Sequence, residues 1–183
     1  MKKLLMLAVL VATLGISAAA ESPIKLSLYD NIAWPKTDNA NIVLGLVDNN
    51  TRNVGGVSLA IGSSRVDNLT GLSAAYFYAR SNDLTGVQFG LYNVTHNATG
   101  VVWGLVNHNK RAFTGVQFGL VNLANNMKGV QWGFYNQAER LTGLQLGFVN
   151  YINRIDKGLQ IGLVNIIENN GWLPIMVIVN GKF

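Results

Sequence analysis

The chain has 183 residues, 49% of them hydrophobic and 13% charged, with 20 glycines, no cysteine and a formal charge of +5. So little charge with so much glycine excludes a disordered charged tail and a long charged coiled coil, and the lack of cysteine excludes a disulfide or thiolate-metal scaffold. One domain that buries a large apolar surface is the expectation at this length.

Residues 1–20 read as an export signal. Lys2 and Lys3 precede an apolar run from Leu4 to Ile16, and Ala18-Ala19-Ala20 supplies the small residues before a cleavage site. The run is shorter than the ~20 residues of a spanning helix, so the expectation is cleavage after Ala20 rather than anchoring. Loss of Lys2 and Lys3 lowers the formal charge from +5 to +3. That is too weak to argue for nucleic acid or an anionic surface.

Residues 21–40, with Ile24, Leu26, Leu28, Ile32 and Trp34, are expected to form an N-terminal cap. Residues 41–172 form one repeat. Gly86, Gly100, Gly115, Gly129, Gly143 and Gly158 recur every 14 or 15 residues, and the same frame reaches upstream to Gly71, Gly56 and Asn41 and downstream to Leu173, about ten copies in all. A short period over most of the chain outweighs any local motif in deciding the fold.

Each copy alternates with period two, the signature of a strand with one buried face. An aliphatic residue follows the glycine (Val87, Val116, Val130, Leu144), then come two further large apolar positions such as Phe89 and Leu91, Trp132 and Phe134, or Leu146 and Phe148. These are the expected core. The intervening positions carry Gln88, Gln117, Gln131, Gln145 and Gln160, followed by Gly or Ala. This second face is expected to be exposed, flat and open to a partner, which makes the five glutamines the candidate interaction face. Asn93, Asn107, Asn122, Asn136, Asn150 and Asn165 close the strands and form a structural column at a corner. Two readings of that column stand: stacked amides bonding to one another at the ~4.8 Å strand spacing, or simple tolerance of a turn conformation. The charged segments after each Asn carry apolar residues of their own, among them Val66, Leu69, Leu84, Met127, Leu141, Ile152 and Ile155.

Two architectures suit a repeated single strand. In a β-solenoid every copy stacks in parallel on the one before, whereas in a small outer-membrane barrel the copies alternate up and down. Linkers that do not alternate in length, an apolar face only three residues tall and a second apolar set in the turns all favour an all-β, single-domain solenoid of about ten 14–15-residue rungs. Residues 173–183 form the terminal strand or cap. Their alternation before Phe183 resembles the closing strand of outer-membrane barrels and keeps that antiparallel barrel as the alternative.

The string Gly-Leu-Gln-Leu-Gly-Phe-Val-Asn at 143–150, the opening Leu26-Ser27-Leu28-Tyr29, the junction Arg52-Asn53-Val54-Gly55-Gly56 and the Leu173-Pro174 ending carry a resemblance. Together they resemble a family of exported bacterial surface-repeat proteins first labelled in leptospires. The resemblance covers most of the chain after residue 20 and implies a secreted or surface location, with no catalytic residues to carry over. The early copies depart from the family's pattern, with Ser58 and Ser73 where Gln is usual and Ser63 and Tyr78 where Asn is usual.

No column repeats an acid. Asp30, Asp38, Asp48, Asp67, Asp83, Glu139, Asp156 and Glu168 fall in separate turns or caps, which argues against the paired carboxylates of a sugar-cleaving enzyme. His96 and His108 stand in different columns and read as turn residues rather than metal ligands. The expectation is a non-enzymatic structural or interaction repeat protein without cofactor or metal. It would lie in the periplasm, outer membrane or cell surface of a Gram-negative-type bacterium. Its partners would be a protein or other envelope component and not nucleic acid, with outer-membrane association and end-to-end self-association left open.

Overall fold

A computed structural model describes residues 22–30 and 32–183. Every element in it is a β-strand, 86% of the described residues are in strands, and the fold is a β-solenoid of about seven turns. The expected export signal at 1–20 lies outside the described residues.

The turn count follows from one glycine column. Gly71, Gly86, Gly100, Gly115, Gly129, Gly143 and Gly158 all have φ between 131° and 147°, which side chains rarely adopt. They mark the corner where each rung turns. At Gly143 an added Cβ would lie 2.0 Å from the carbonyl oxygen of Gly129 in the rung before, so steric room and φ both demand glycine. Asn41, Gly56 and Leu173, counted as copies from spacing, do not share this corner conformation, and the number falls below ten.

The chain divides into two compact units at Gly90 and Leu91. In the first, β2 (Ile32–Trp34), β1 (Ser22–Tyr29), β3 (Asn39–Gly45), β4 (Asp48–Ala60), β5 (Ser63–Ala75) and β6 (Tyr78–Phe89) lie in that spatial order. From β1 onward all pairings are parallel, placing Leu26 beside Leu44, Ser58 beside Ser73 and Ser73 beside Gln88. Only β2 is antiparallel, on the outer edge of β1. Much of the expected N-terminal cap is therefore a rung strand of the coil, and β2 alone covers its edge.

The second unit contains β7 (Tyr92–Trp103), β8 (Val106–Phe118), β9 (Val121–Asn169) and β10 (Ile175–Lys182). Asn93 pairs with Asn107 and then Asn122, and Gln117 pairs with Gln131, all in parallel. Bulges opposite Thr95/Asn97 and Asn109/Ala112 absorb the one-residue difference between 14- and 15-residue copies. β10 reverses direction and runs antiparallel along β9, with its own bulge at Met176/Ile178. The C-terminal segment is thus a closing strand, but of a solenoid: the parallel rungs are incompatible with the antiparallel barrel alternative.

The expected core is turned inside out. Buried side chains are the turn-segment apolar residues, including Val66, Leu69, Leu84, Met127, Leu141, Ile152 and Ile155, together with Phe113, which sequence reasoning did not single out. Gln88, Gln117, Gln131, Gln145 and Gln160 are fully buried, whereas Trp103, Trp132, Phe134 and Phe148 face outward. The physical reason is width. Gln131 donates across the rung from Nε2 to the backbone carbonyl of Gln137 at 3.2 Å, and Gln160 reaches Ile166 in the same way at 3.1 Å. The space between the two sides of a rung is one amide side chain wide, too thin for facing layers of Trp and Phe.

Candidate interaction surface and its supporting ladders

Two amide ladders hold the second unit together. Gln131 Nε2 donates to Gln117 Oε1 at 2.8 Å, Gln145 to Gln131 at 2.7 Å and Gln160 to Gln145 at 2.9 Å. The Asn ladder runs the other way. Asn93, Asn107, Asn122, Asn136 and Asn150 each donate from Nδ2 to the Oδ1 of the next member, ending at Asn165, at 2.8–2.9 Å. Each of those Nδ2 groups also donates to a main-chain carbonyl of the following rung's outer strand, as Asn122 does to Trp132 at 3.0 Å and Asn136 to Leu146 at 2.9 Å. Stacked identical amides satisfy one another where water cannot enter, so their burial costs little. Of the two readings of the Asn column, the structure selects the ladder.

The small residue after each Gln serves the Asn ladder. A Cβ at Gly147 would lie 2.5 Å from Asn136 Nδ2 and 2.3 Å from the carbonyl of Gly133. Glycine there makes room for the corner amides rather than flattening an exposed face. The glutamines are therefore not an interaction surface: all five are enclosed, and the role expected of them is corrected. The signal available in the sequence was uniformity. From Gln117 to Gln160 the Gln column is chemically constant, as hydrogen-bond geometry requires, while its outward neighbours range in volume from Trp132 to Ile161, a tolerance that packed interiors do not allow.

In the first unit hydroxyls take most of the buried polar positions, with the amides of Asn49 and Gln88 among them. Ser58, Ser64 and Ser73 are buried and linked, with Ser58 and Ser64 at 2.9 Å and Ser73 donating to Ser64 at 3.3 Å. Asn49 donates to Ser58 at 3.0 Å, Thr51 to Asn49 at 2.7 Å, and Lys25 Nζ to Thr51 at 3.0 Å and the carbonyl of Asn50 at 2.8 Å. Burial pushes the Lys25 amine below its ordinary range, opposed by the nearby Asp38 carboxylate. Asp48 is hydrogen-bonded by Arg65 and Ser63, and Arg65 also meets Asp30 at 3.2 Å. Burial alone would raise the Asp48 carboxyl, but the hydrogen bonds and the Arg65 charge outweigh it and hold it below the usual carboxylate range.

Outward, both units present apolar side chains. In the first, Leu26, Leu28, Ile32, Trp34, Leu44 and Leu46 line an open groove of about 480 Å³. A second groove of about 500 Å³ follows beside Leu59, Ile61 and Tyr76, over the small residues Ala60, Ala74 and Ala75. In the second unit the corresponding positions are filled by rings. Phe134 stacks on Phe148 with centroids 4.9 Å apart and Phe118 leans on Trp132 at 5.3 Å. Exposed charges of this unit, such as Lys110, Arg111, Glu139, Arg140 and Arg154, sit in the segment following each Asn, on the return side of the rung.

Among the described residues no group of three or more His, Cys, Asp or Glu stands together as a metal site would require. His108 is lowered from its ordinary range by burial, with Lys110 and His96 adding to the effect. The chain matches no protein-family profile, no curated protein and no solved structure.

Proposed function

We propose that the chain is an exported, non-enzymatic structural and interaction repeat protein of a bacterial cell envelope, and that it makes contact through the outward apolar face of its coil. The observation that carries the reading is the inversion itself. Polar amides occupy the interior, and rings that would normally be buried stand in solvent along one face, including Trp103, Trp132, Phe134 and Phe148. Exposed apolar surface of this extent marks a contact area on proteins that otherwise keep such patches small. The basic start, short apolar run and Ala18-Ala19-Ala20 of the leader support export.

Production of the full chain followed by cell fractionation tests this. The wild-type chain is expected to lose its first twenty residues and to remain with the envelope. A variant carrying Phe134→Asp and Phe148→Asp should be processed equally but run as a smaller assembly than the wild-type chain in envelope extracts. An unprocessed wild-type chain in the cytoplasm would overturn the reading.

A further inference from the structure

The outward face of the second unit has a profile that identifies its occupant. Two columns carry the largest outward side chains of each rung. The first reads Trp103, Phe118, Trp132, Leu146 and Ile161 along the coil, and the second reads Leu105, Leu120, Phe134, Phe148 and Leu163. In the first column the two positions before the central Trp132 are the aromatic Trp103 and Phe118, and the two after it are the smaller Leu146 and Ile161. No position in either column is ionisable.

We infer that this face is an isologous interface with a second copy of the chain, the two coils antiparallel and related by a two-fold axis through the Trp132 rung. Such an axis sets Trp103 against Ile161 of the other copy and Phe118 against Leu146, with Trp132 and Phe134 meeting their own counterparts. Large side chains then face small ones toward the ends, and the aromatic anchors meet at the centre, where interface energy concentrates. A parallel arrangement would set the Trp103 rung against itself and the Ile161 rung against itself, leaving a wedge-shaped gap. The area is sufficient. Trp103, Leu105, Leu120, Trp132, Phe134, Phe148, Ile161 and Leu163 are 41–62% exposed. At ~150–250 Å² for a full side chain they offer on the order of 800 Å², about what each partner contributes to a standard stable interface. Two such sheets can pack face to face ~10 Å apart with interleaved side chains. The charges on the return side stay in water. End-to-end growth is disfavoured by the same structure, because β10 covers the last rung in the antiparallel sense and carries a bulge.

This inference rests on the apolar face being the contact surface, and its test separates the two. Sedimentation of the purified full chain should give a dimer. Trp132→Asp with Phe148→Asp should give a monomer with an unchanged circular dichroism spectrum, the dissociation constant rising roughly thirtyfold per aromatic removed. Ile161→Trp alone should weaken the dimer by clashing with Trp103 of the other copy, and adding Trp103→Ile should restore it by exchanging the large and small partners. The native chain has no cysteine, so cross-linking is unambiguous. A mixture of Trp103→Cys and Ile161→Cys chains should form a mixed disulfide dimer, while Trp103→Cys alone should form none. A wild-type monomer at high micromolar concentration, or cross-linking of Trp103→Cys to itself, overturns the pairing. A monomer that still fractionates with the envelope overturns the pairing alone, whereas a dimer retained in the cytoplasm overturns the envelope reading alone.

Discussion

The two units solve one problem with different chemistry. Each winds the backbone into rungs so thin that polar side chains must share the interior. The second fills it with amides that repeat from rung to rung, each donating to the next. The first uses a non-repeating set of serines, a threonine, an asparagine, a glutamine, a lysine and an Arg65–Asp48 pair. The lesson is that constancy of a column matters more than its polarity. A missing member of an amide ladder leaves its neighbours without a donor or acceptor, because each side chain is both donor and acceptor, whereas a hydroxyl can rotate to a new partner when one is lost.

The strongest way to break the comparison is at the corner both units share. Gly143→Ala places a Cβ where φ is 140° and a carbonyl lies 2.0 Å away, and is expected to cost about 3 kcal/mol or more in denaturant unfolding. The next largest effect separates the units. Gln131→Leu keeps volume but strips Gln117 Oε1 of its donor and Gln145 Nε2 of its ladder acceptor, for an expected loss of about 2–3 kcal/mol. Ser64→Ala in the first unit, where Ser58, Ser73 and Asn49 can re-pair, should cost about 1 kcal/mol. Equal losses at the two sites would remove the distinction.

Acid sharpens it further. The Asp48 carboxyl is held below its usual range in the folded chain, so its contribution is fully present above the ordinary carboxylate pKa near 4 and is lost as pH falls below that, through the lower folded value. Because Arg65 is substantially exposed, the effect is about 1 kcal/mol or less. The Gln and Asn ladders do not titrate. Hydrogen exchange below pH 4 should therefore show the β4–β5 region opening, and Asp48→Asn should abolish that pH dependence.

The smallest expected effect is a gain. Val102 occupies the ladder position before Gln117, and Gln117 Nε2 is buried without a partner as a result. Val102→Gln should supply the missing acceptor and stabilise the second unit by about 1 kcal/mol, seen as a raised unfolding midpoint.

Much of this was readable from residues. The period, the choice of solenoid over barrel, the Asn column and the second apolar set at Leu141, Ile152 and Ile155 all follow from spacing and alternation. The closing strand was legible as an element, though its resemblance to a barrel strand misdirected. The assignment of faces was not legible. Alternation shows that a strand has two faces without saying which is inside, and hydropathy points to the wrong one when the interior is only an amide wide.

What the sequence determined by itself is the unit of construction: a 14–15-residue rung whose corner requires glycine and whose strand alternates, because backbone sterics and side-chain period act within a single copy. What only the tertiary structure decided is which half of the alternation is enclosed. That depends on the distance between the two sides of a rung and on neighbours one rung away. At that distance Gln131 meets Gln117 and Gln145 in the dry interior, and Trp132 and Phe134 are left facing water.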